Sequence, residues 1–346
     1  MRGRGSAFNP KNRFEAVELV PEPGDLDEVS SPVTQFLTDS SKSIIAYNDS
    51  PDVGFDASIN SYRGCEHGCI YCYARPTHEY LGFSAGLDFE TKIMVKEKAP
   101  ELLRKELSSP KWEPRVLAMS GVTDCYQPIE KKLGLTRRCL EVLLEFRNPV
   151  GIVTKNFLVT RDIDILSELA RYQCAAVFIS LTTLDEKLSG LMEPRASRPA
   201  RRLAAIAALS QAGIPVGFLL APMIPGLTDS EAPAIVKAAV RAGASFGGYV
   251  PLRLPYAVKS LFESWLEQHY PERKDKVLNR IRAIRGGKLN DPNFGSRMKG
   301  EGIFAEQMAE LFRVACKKAG IHERRPNLTT EHFRRPSCSQ LALFQR

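Results

Sequence analysis

About six times in succession a short apolar run gives way to a stretch with helical spacing, and this alternation restricts the fold of the 346-residue chain more than any other property. The runs are ASINSY (57–62), RVLAMS (115–120), VGIVTK (150–155), AAVFISLTT (175–183), PVGFLLAP (215–222) and SFGGYVPL (245–252), with a shorter extended piece, MVK, at 94–96. Between them, EKAPELLRKEL puts Leu102, Leu103 and Leu107 on one helical face, and further helices are expected over about 135–146, 199–212, 230–242, 258–269 and 272–285. Asp162 is placed to N-cap DILSELARY, while Gly213 and Gly243 end two of the others. Buried strands alternating with amphipathic helices are parallel β/α units. About six of them make an α/β fold of the partial (β/α)6-type TIM barrel kind rather than a closed eightfold barrel. Chemistry in such folds gathers where the strands end, so the informative residues are those just after each apolar run.

The barrel is expected over 55–260, preceded by an extended N-terminal arm over 1–54 that carries Pro10, Pro21, Pro23 and Pro32, and followed by a helical basic extension over 261–346. At 43% hydrophobic residues the chain can bury a large core. No run is long and apolar enough to cross a membrane, and MRGRGSAFNPKNRFE lacks the apolar stretch of a signal peptide, so a cytoplasmic location is expected. Eight cysteines without a regular framework are then expected to stay reduced. The formal charge is +8, and the segment 271–346 alone holds 17 Lys+Arg against 8 Asp+Glu, leaving the rest at −1. A polyanionic partner such as nucleic acid and a solvated basic helix face both account for that.

The densest chemistry lies in RGCEHGCIYCYARP, residues 63–76, where Cys65, Cys69 and Cys72 are spaced Cys-x3-Cys-x2-Cys. Three thiolates on one tight loop reach three corners of a cubic iron–sulfur cluster, leaving the fourth iron open to another ligand. A zinc site with His67 or His78 as fourth ligand is the alternative, although no second ligand pair with zinc spacing follows.

These features, with Tyr71 directly before the third cysteine and the β/α repeat behind it, resemble the radical S-adenosylmethionine (SAM) superfamily over roughly residues 55–260. The runs DFETKIMVKEKAPELL, TDCYQPIE and VTKNFLVTRDIDIL resemble its branch related to spore photoproduct lyase, the DNA repair photolyase-like proteins. The resemblance implies a [4Fe-4S] cluster on Cys65, Cys69 and Cys72, with SAM chelating the fourth iron and cleaved reductively to a 5′-deoxyadenosyl radical. It places the methionine amino group beside Ser120, Gly121, Thr123 and Asp124, although the family's common Gly-Gly-Glu form is absent there. Lys155 is expected on the methionine carboxylate, Ser180 and Thr182 on the ribose, and Ile224 and Tyr71 near the adenine. Cys125 is the candidate thiol for returning hydrogen to a product radical.

Glu193 and Arg195 read as a solvated loop and helix start, and Cys139, Cys174, Cys316 and Cys338 as structural. GGKLNDPNFGSRMKGEG is a glycine-rich loop that either closes over the barrel mouth or simply connects, and it precedes the amphipathic helix IFAEQMAELFRVACKKAG, ended by Gly320. QLALF, Gln340 to Phe344, is similar to the peptide with which bacterial DNA polymerases and repair proteins dock on the sliding clamp. An electron donor such as flavodoxin or ferredoxin is the other expected partner. The substrate reading is nucleic acid, as in DNA repair or base modification. A peptide, RNA or cofactor precursor is the alternative within the enzyme class, and a non-enzymatic Fe–S or zinc protein the alternative outside it.

Overall fold

The computed structural model describes residues 3–15, 32–321 and 326–336. Its strands are β1 (Gln35–Thr38), β2 (Ile45–Tyr47), β3 (Ala57–Ile59), β4 (Tyr62–Arg63), β5 (Lys92–Val95), β6 (Leu117–Met119), β7 (Val150–Thr154), β8 (Ala175–Ser180), β9 (Val216–Met223) and β10 (Phe246–Pro251). Six of them, β3 and β6 to β10, form one parallel sheet in the order β3-β6-β7-β8-β9-β10, and β2 adds an antiparallel edge beside β3. This is a mixed α/β fold with a parallel sheet, and β10 and β2 are its two unpaired edges.

Two expected strands fall differently. ASINSY is divided: β3 stops at Ile59, the chain bends, and β4 leaves the barrel to pair with β5 in a separate three-stranded sheet of order β1-β5-β4. The Asn60 carboxamide causes the bend by accepting the N–H groups of Val122 (2.9 Å) and Thr123 (3.4 Å). The MVK piece therefore belongs to the small sheet, and its parallel partner β1 comes from the N-terminal arm.

The register sorts each strand into two faces. Leu117, Met119, Val150, Ile152, Val177, Ile179, Phe218 and Leu220 join the main core with Leu140, Leu166, Ile206 and Ile235 of the surrounding helices. The other face carries a lateral row of small residues, Ala118–Gly151–Ala176, and a second row, Val153–Phe178–Gly217, in which one large ring stands between smaller neighbours. Where a closed barrel is filled by branched side chains, these leave a cavity of about 1010 Å³. Gly217 is needed there, because a Cβ at that position would stand 2.1 Å from the Phe246 ring.

Between the two sheet edges runs the glycine-rich segment. Buried Arg285 donates from Nη1 to the carbonyls of Ser296 (3.1 Å) and Arg297 (2.8 Å), and from Nη2 to those of Pro251 (3.3 Å) and Leu252 (2.9 Å) at the end of β10. On the opposite side Asp52, in the β2–β3 loop, accepts the Gly295 N–H at 2.6 Å and pairs with Arg297. The segment thus straps one edge to the other by side chains. Replacing Arg285 with Met removes four donor contacts, and an effect of about 2–3 kcal/mol is expected. Faster hydrogen exchange confined to residues 291–302, read by mass spectrometry, would show it.

Helix Ile303–Ala319, expected in the appended extension, lies along helix Ala232–Arg241, and its Phe312 packs on Phe218 and Tyr249. The barrel's outer layer therefore continues well past residue 260. Asp162 sits at the N-cap of helix Ile163–Arg171 without capping it, because its carboxylate is taken by Arg137, Arg161 and the Tyr126 hydroxyl. The segment 334–336 turns back under the barrel, where Arg334 and Arg335 donate to the carbonyls of Glu145 and Trp112. The QLALF peptide and Cys338 lie outside the described residues. Among the described residues no helix is long and apolar enough to cross a membrane.

Candidate active site

The cysteine loop rests on a buried arginine. Arg75, with no exposed surface, donates from Nε to the Cys69 carbonyl (2.9 Å) and from Nη1 to the Gly86 carbonyl (2.9 Å), and pairs through Nη2 with Glu90 (2.5 Å). Glu90 in turn accepts the N–H groups of Gly5 (3.0 Å) and Ser6 (2.9 Å), so the N-terminal arm helps fix the loop from below. Gly68 is in the left-handed region (φ +66°), and a Cβ there would lie 2.7 Å from Glu90. Cys65 and Cys69 are buried and Cys72 half-buried. Burial pushes the Cys69 thiol up to about 12, with the Glu193 charge adding to it, and raises the other two thiols as well.

Asp124 joins the loop to the strand ends. Its Oδ1 accepts the Thr154 hydroxyl (2.8 Å) and the Tyr126 N–H (2.9 Å), while Oδ2 accepts the Lys155 N–H (2.8 Å) and lies 3.3 Å from His67 Nδ1. His67 Nε2 stands 3.1 Å from the Asn156 carboxamide. Burial alone would raise the Asp124 pKa, but the His67 ring and the two backbone donors outweigh it and hold it at about 2. Glu66 works alongside, accepting the Ile129 N–H at 2.7 Å and pairing with Arg195 at 3.0 Å. Expected to receive the methionine ammonium, Asp124 instead has both oxygens engaged within the protein.

A second group surrounds Tyr71. Its hydroxyl donates to Glu193 and lies 3.2 Å from Thr182 Oγ1, and the Thr182 hydroxyl also donates to Glu193 (2.9 Å). Arg202 pairs with the other Glu193 oxygen and donates to the carbonyls of Ser180 (3.0 Å) and Ser197 (2.6 Å). Burial would raise the Glu193 pKa, yet Arg202 and then Lys155 hold it at about 2. The Lys155 ammonium is 5.9 Å from the Tyr71 ring centroid and has no carboxylate within ion-pair distance among the described residues. Ile224 packs with Tyr71 in one apolar cluster beside Leu188 and Met192.

The remaining expected residues divide. Ser120 adopts φ +78°, a rare conformation for a non-glycine residue, and its hydroxyl accepts the Cys125 N–H at 2.9 Å. Gly121 lies against Ser58, and its carbonyl accepts the Tyr73 hydroxyl (2.8 Å), whereas Thr123 donates to the Tyr62 carbonyl (2.9 Å). Ser180 is buried at the end of β8, its carbonyl held by Arg202. Cys125 is 2% exposed in the main apolar core with Met119 and Leu140, and burial pushes its thiol well above the ordinary range. Glu193, expected to be solvated, is buried; His67, expected only as an alternative zinc ligand, stands against Asp124 and Asn156, and the sequence offers no expectation for Asn60 or Arg202. Glu193 and Arg202 stand nine residues apart across a helix start, a separation that carries no pairing signal in the sequence.

The family model of the radical SAM superfamily matches residues 59–239, from the end of β3 into helix Ala232–Arg241. The chain belongs to the radical SAM superfamily. An uncharacterized protein of Mycobacterium tuberculosis is 33% identical over 275 residues, covering 79% of this chain and 78% of that one. One of Methanocaldococcus jannaschii is 29% identical over 222 residues, covering 64% and 79%. Spore photoproduct lyase complexed with dinucleoside spore photoproduct superposes with a TM-score of 0.57 at 17% identity, over 82% of this chain and 79% of that chain. A variant of that lyase with bound AdoMet and the dinucleoside gives 0.57 at 18% identity, over 82% and 78%. At such identity the likeness is one of fold.

The donor set of this radical SAM chain suits a cluster. Three soft thiols project from one loop, and each thiolate of a cubane binds a different iron, so the three need not converge on one point. Among the described residues no three His, Cys, Asp or Glu side chains do converge on a single ion. Binding iron would also relieve thiols that burial keeps protonated.

Proposed function

We propose that Cys65, Cys69 and Cys72 hold a [4Fe-4S] cluster, that SAM binds over it, and that the enzyme acts on nucleic acid in repair or base modification. The observation that carries this reading is the joining of the three-thiol loop to the ends of β6 and β7 through Asp124, with the Lys155 ammonium, which makes no ion pair among the described residues, beside it. When bound, the cluster and SAM supply a 5′-deoxyadenosyl radical.

The chain's own residues then bind and orient. Lys155 pairs with the methionine carboxylate, its backbone held by Asp124. The Ser120 hydroxyl and the adjacent turn face the methionine amino group. Ser180 serves the ribose, with its strand end fixed by Arg202. Ile224 and the Tyr71 ring give an apolar wall that keeps water from the adenine side. Tyr71 and Thr182 act as positioning groups on Glu193.

The net charge of +8 supports nucleic acid as substrate, as does the fold shared with a lyase complexed with a dinucleoside photoproduct. Flavodoxin or ferredoxin is the class of electron donor such chemistry requires. Transfer of deuterium from labelled nucleic acid into 5′-deoxyadenosine tests the whole reading, and transfer only from peptides or small precursors would replace it. For the cofactor alone, Lys155→Ala is expected to weaken SAM binding about ten- to one-hundredfold by anaerobic calorimetry. Unchanged affinity would place the carboxylate elsewhere.

A further inference from the structure

Just past β10 lies Arg253, a half-buried arginine that no part of the cofactor site uses. Among the described residues it forms no ion pair. Its Nε has no hydrogen-bond partner, and its Nη1 reaches only the Met298 sulfur at 3.3 Å. The acidic groups nearby are already engaged: Asp52 by Gly295 and Arg297, and Asp291 by Asn293 and Ser296. Two neighbouring guanidinium groups have their terminal nitrogens taken, Arg285 by four carbonyls and Arg297 by Ser50 and, through its Nε, Asp52, although the Arg285 Nε is, like that of Arg253, without a hydrogen-bond partner. Burial, together with repulsion from Arg297, lowers the proton affinity of Arg253. A cation so placed is stabilised by an incoming anion.

Its surroundings define that anion further. Arg253 follows the last barrel strand at its C-terminal end, the end where substrates bind. Its guanidinium centre lies 6.0 Å from the ring of Tyr73, the residue after Cys72. Tyr73 is 52% exposed, with its hydroxyl anchored on the Gly121 carbonyl, so the ring is fixed while leaving surface for a stacking partner. A forked donor matches phosphate oxygens, and an adjacent open aromatic ring matches a base.

We propose that Arg253 and Tyr73 form a subsite for one phosphodiester and its adjoining base in the substrate; this rests on the nucleic acid reading above. The test measures binding to the reconstituted holoenzyme of a short single-stranded thymidine oligonucleotide, its uncharged methylphosphonate analogue, inorganic pyrophosphate and SAM. Arg253→Gln is expected to weaken the oligonucleotide about ten- to one-hundredfold, with no change for the methylphosphonate analogue or SAM. Arg253→Lys restores only part of the loss, because a point charge lacks the fork. Tyr73→Leu weakens both oligonucleotides. Equal oligonucleotide binding by wild type and Arg253→Gln overturns the subsite and leaves the nucleic acid reading standing. A loss confined to SAM overturns it by assigning Arg253 to the cofactor carboxylate. If wild type binds pyrophosphate through Arg253 but no oligonucleotide, the phosphate site is retained and nucleic acid falls as its source. Binding of neither overturns both. Iron content and melting temperature matching wild type show that each variant is folded.

Discussion

Replacing Cys69 with alanine is expected to leave the reconstituted protein with less than about one iron per chain, where the wild type holds about four, and to abolish formation of 5′-deoxyadenosine. Cys69 is the middle ligand of the loop, and its carbonyl is clamped by Arg75, so the backbone course survives loss of the thiol. With two thiolates left, a cubane loses a corner and its remaining irons become exposed to solvent and oxygen. Since Cys69 is only 8% exposed, the substitution opens a small cavity, with an expected stability cost of about 1–2 kcal/mol. That is too little to unfold a domain of this size, so the loss of iron is separable from loss of fold by circular dichroism. Anaerobic iron and sulfide analysis decides the matter. Stoichiometric zinc without iron in the wild type would sink the cluster reading, as would full iron retention by the variant.

The second large effect is expected at Glu193. Its carboxylate receives Tyr71, Thr182 and Arg202 with no exposed side-chain surface, and Arg202 is nearly as buried. Glu193→Ala leaves that guanidinium uncompensated in the interior, and a loss of about 3–5 kcal/mol is expected in urea unfolding. Changing both partners, Glu193→Leu with Arg202→Met, should recover most of it, since neither charge is then stranded. The pair also sets an acid limit. With a folded-state pKa near 2 against an ordinary 4.5, Glu193 contributes stability that is fully present above about pH 4.5 and lost as pH falls toward 2. Asp124, held near 2 from 3.8, acts in the same direction and over a similar range. A shallower decline of stability between pH 4.5 and 2.5 in Glu193→Gln than in wild type would confirm the sign, and parallel curves would refute it.

Local pattern made the barrel legible. Helix Leu135–Phe146 falls where the apolar spacing puts it, and the parallel strands occupy the apolar runs, because a buried strand and its covering helix each carry their signal within a few residues. The thiol loop was legible for the same reason. Other features depend on partners far along the chain. β1 and β5 are four residues each and pair with one another across more than fifty positions, so neither run shows its sheet by itself. Asp124 after a strand resembles an open acceptor, but its donors come from Thr154, Lys155 and His67. LMEPRASRPARR is so polar that solvent is the natural expectation. Glu193 is buried only because Arg202 folds back onto it and Tyr71 arrives from the cysteine loop.

The strap from Arg285 to Asp52 separates two properties that a closed barrel binds together. In a closed barrel, girth follows from strand number and stagger, and changing it means re-registering every ladder. Here the last gap is spanned by a loop and a few side-chain bonds. Loop insertions cost little free energy with length, so a longer or shorter span between Ile284 and Ile303 would resize the chamber and leave the thiol loop and its strand-end supports untouched. Chains of this architecture can in this way adapt to bulkier or slimmer substrates by editing one connection.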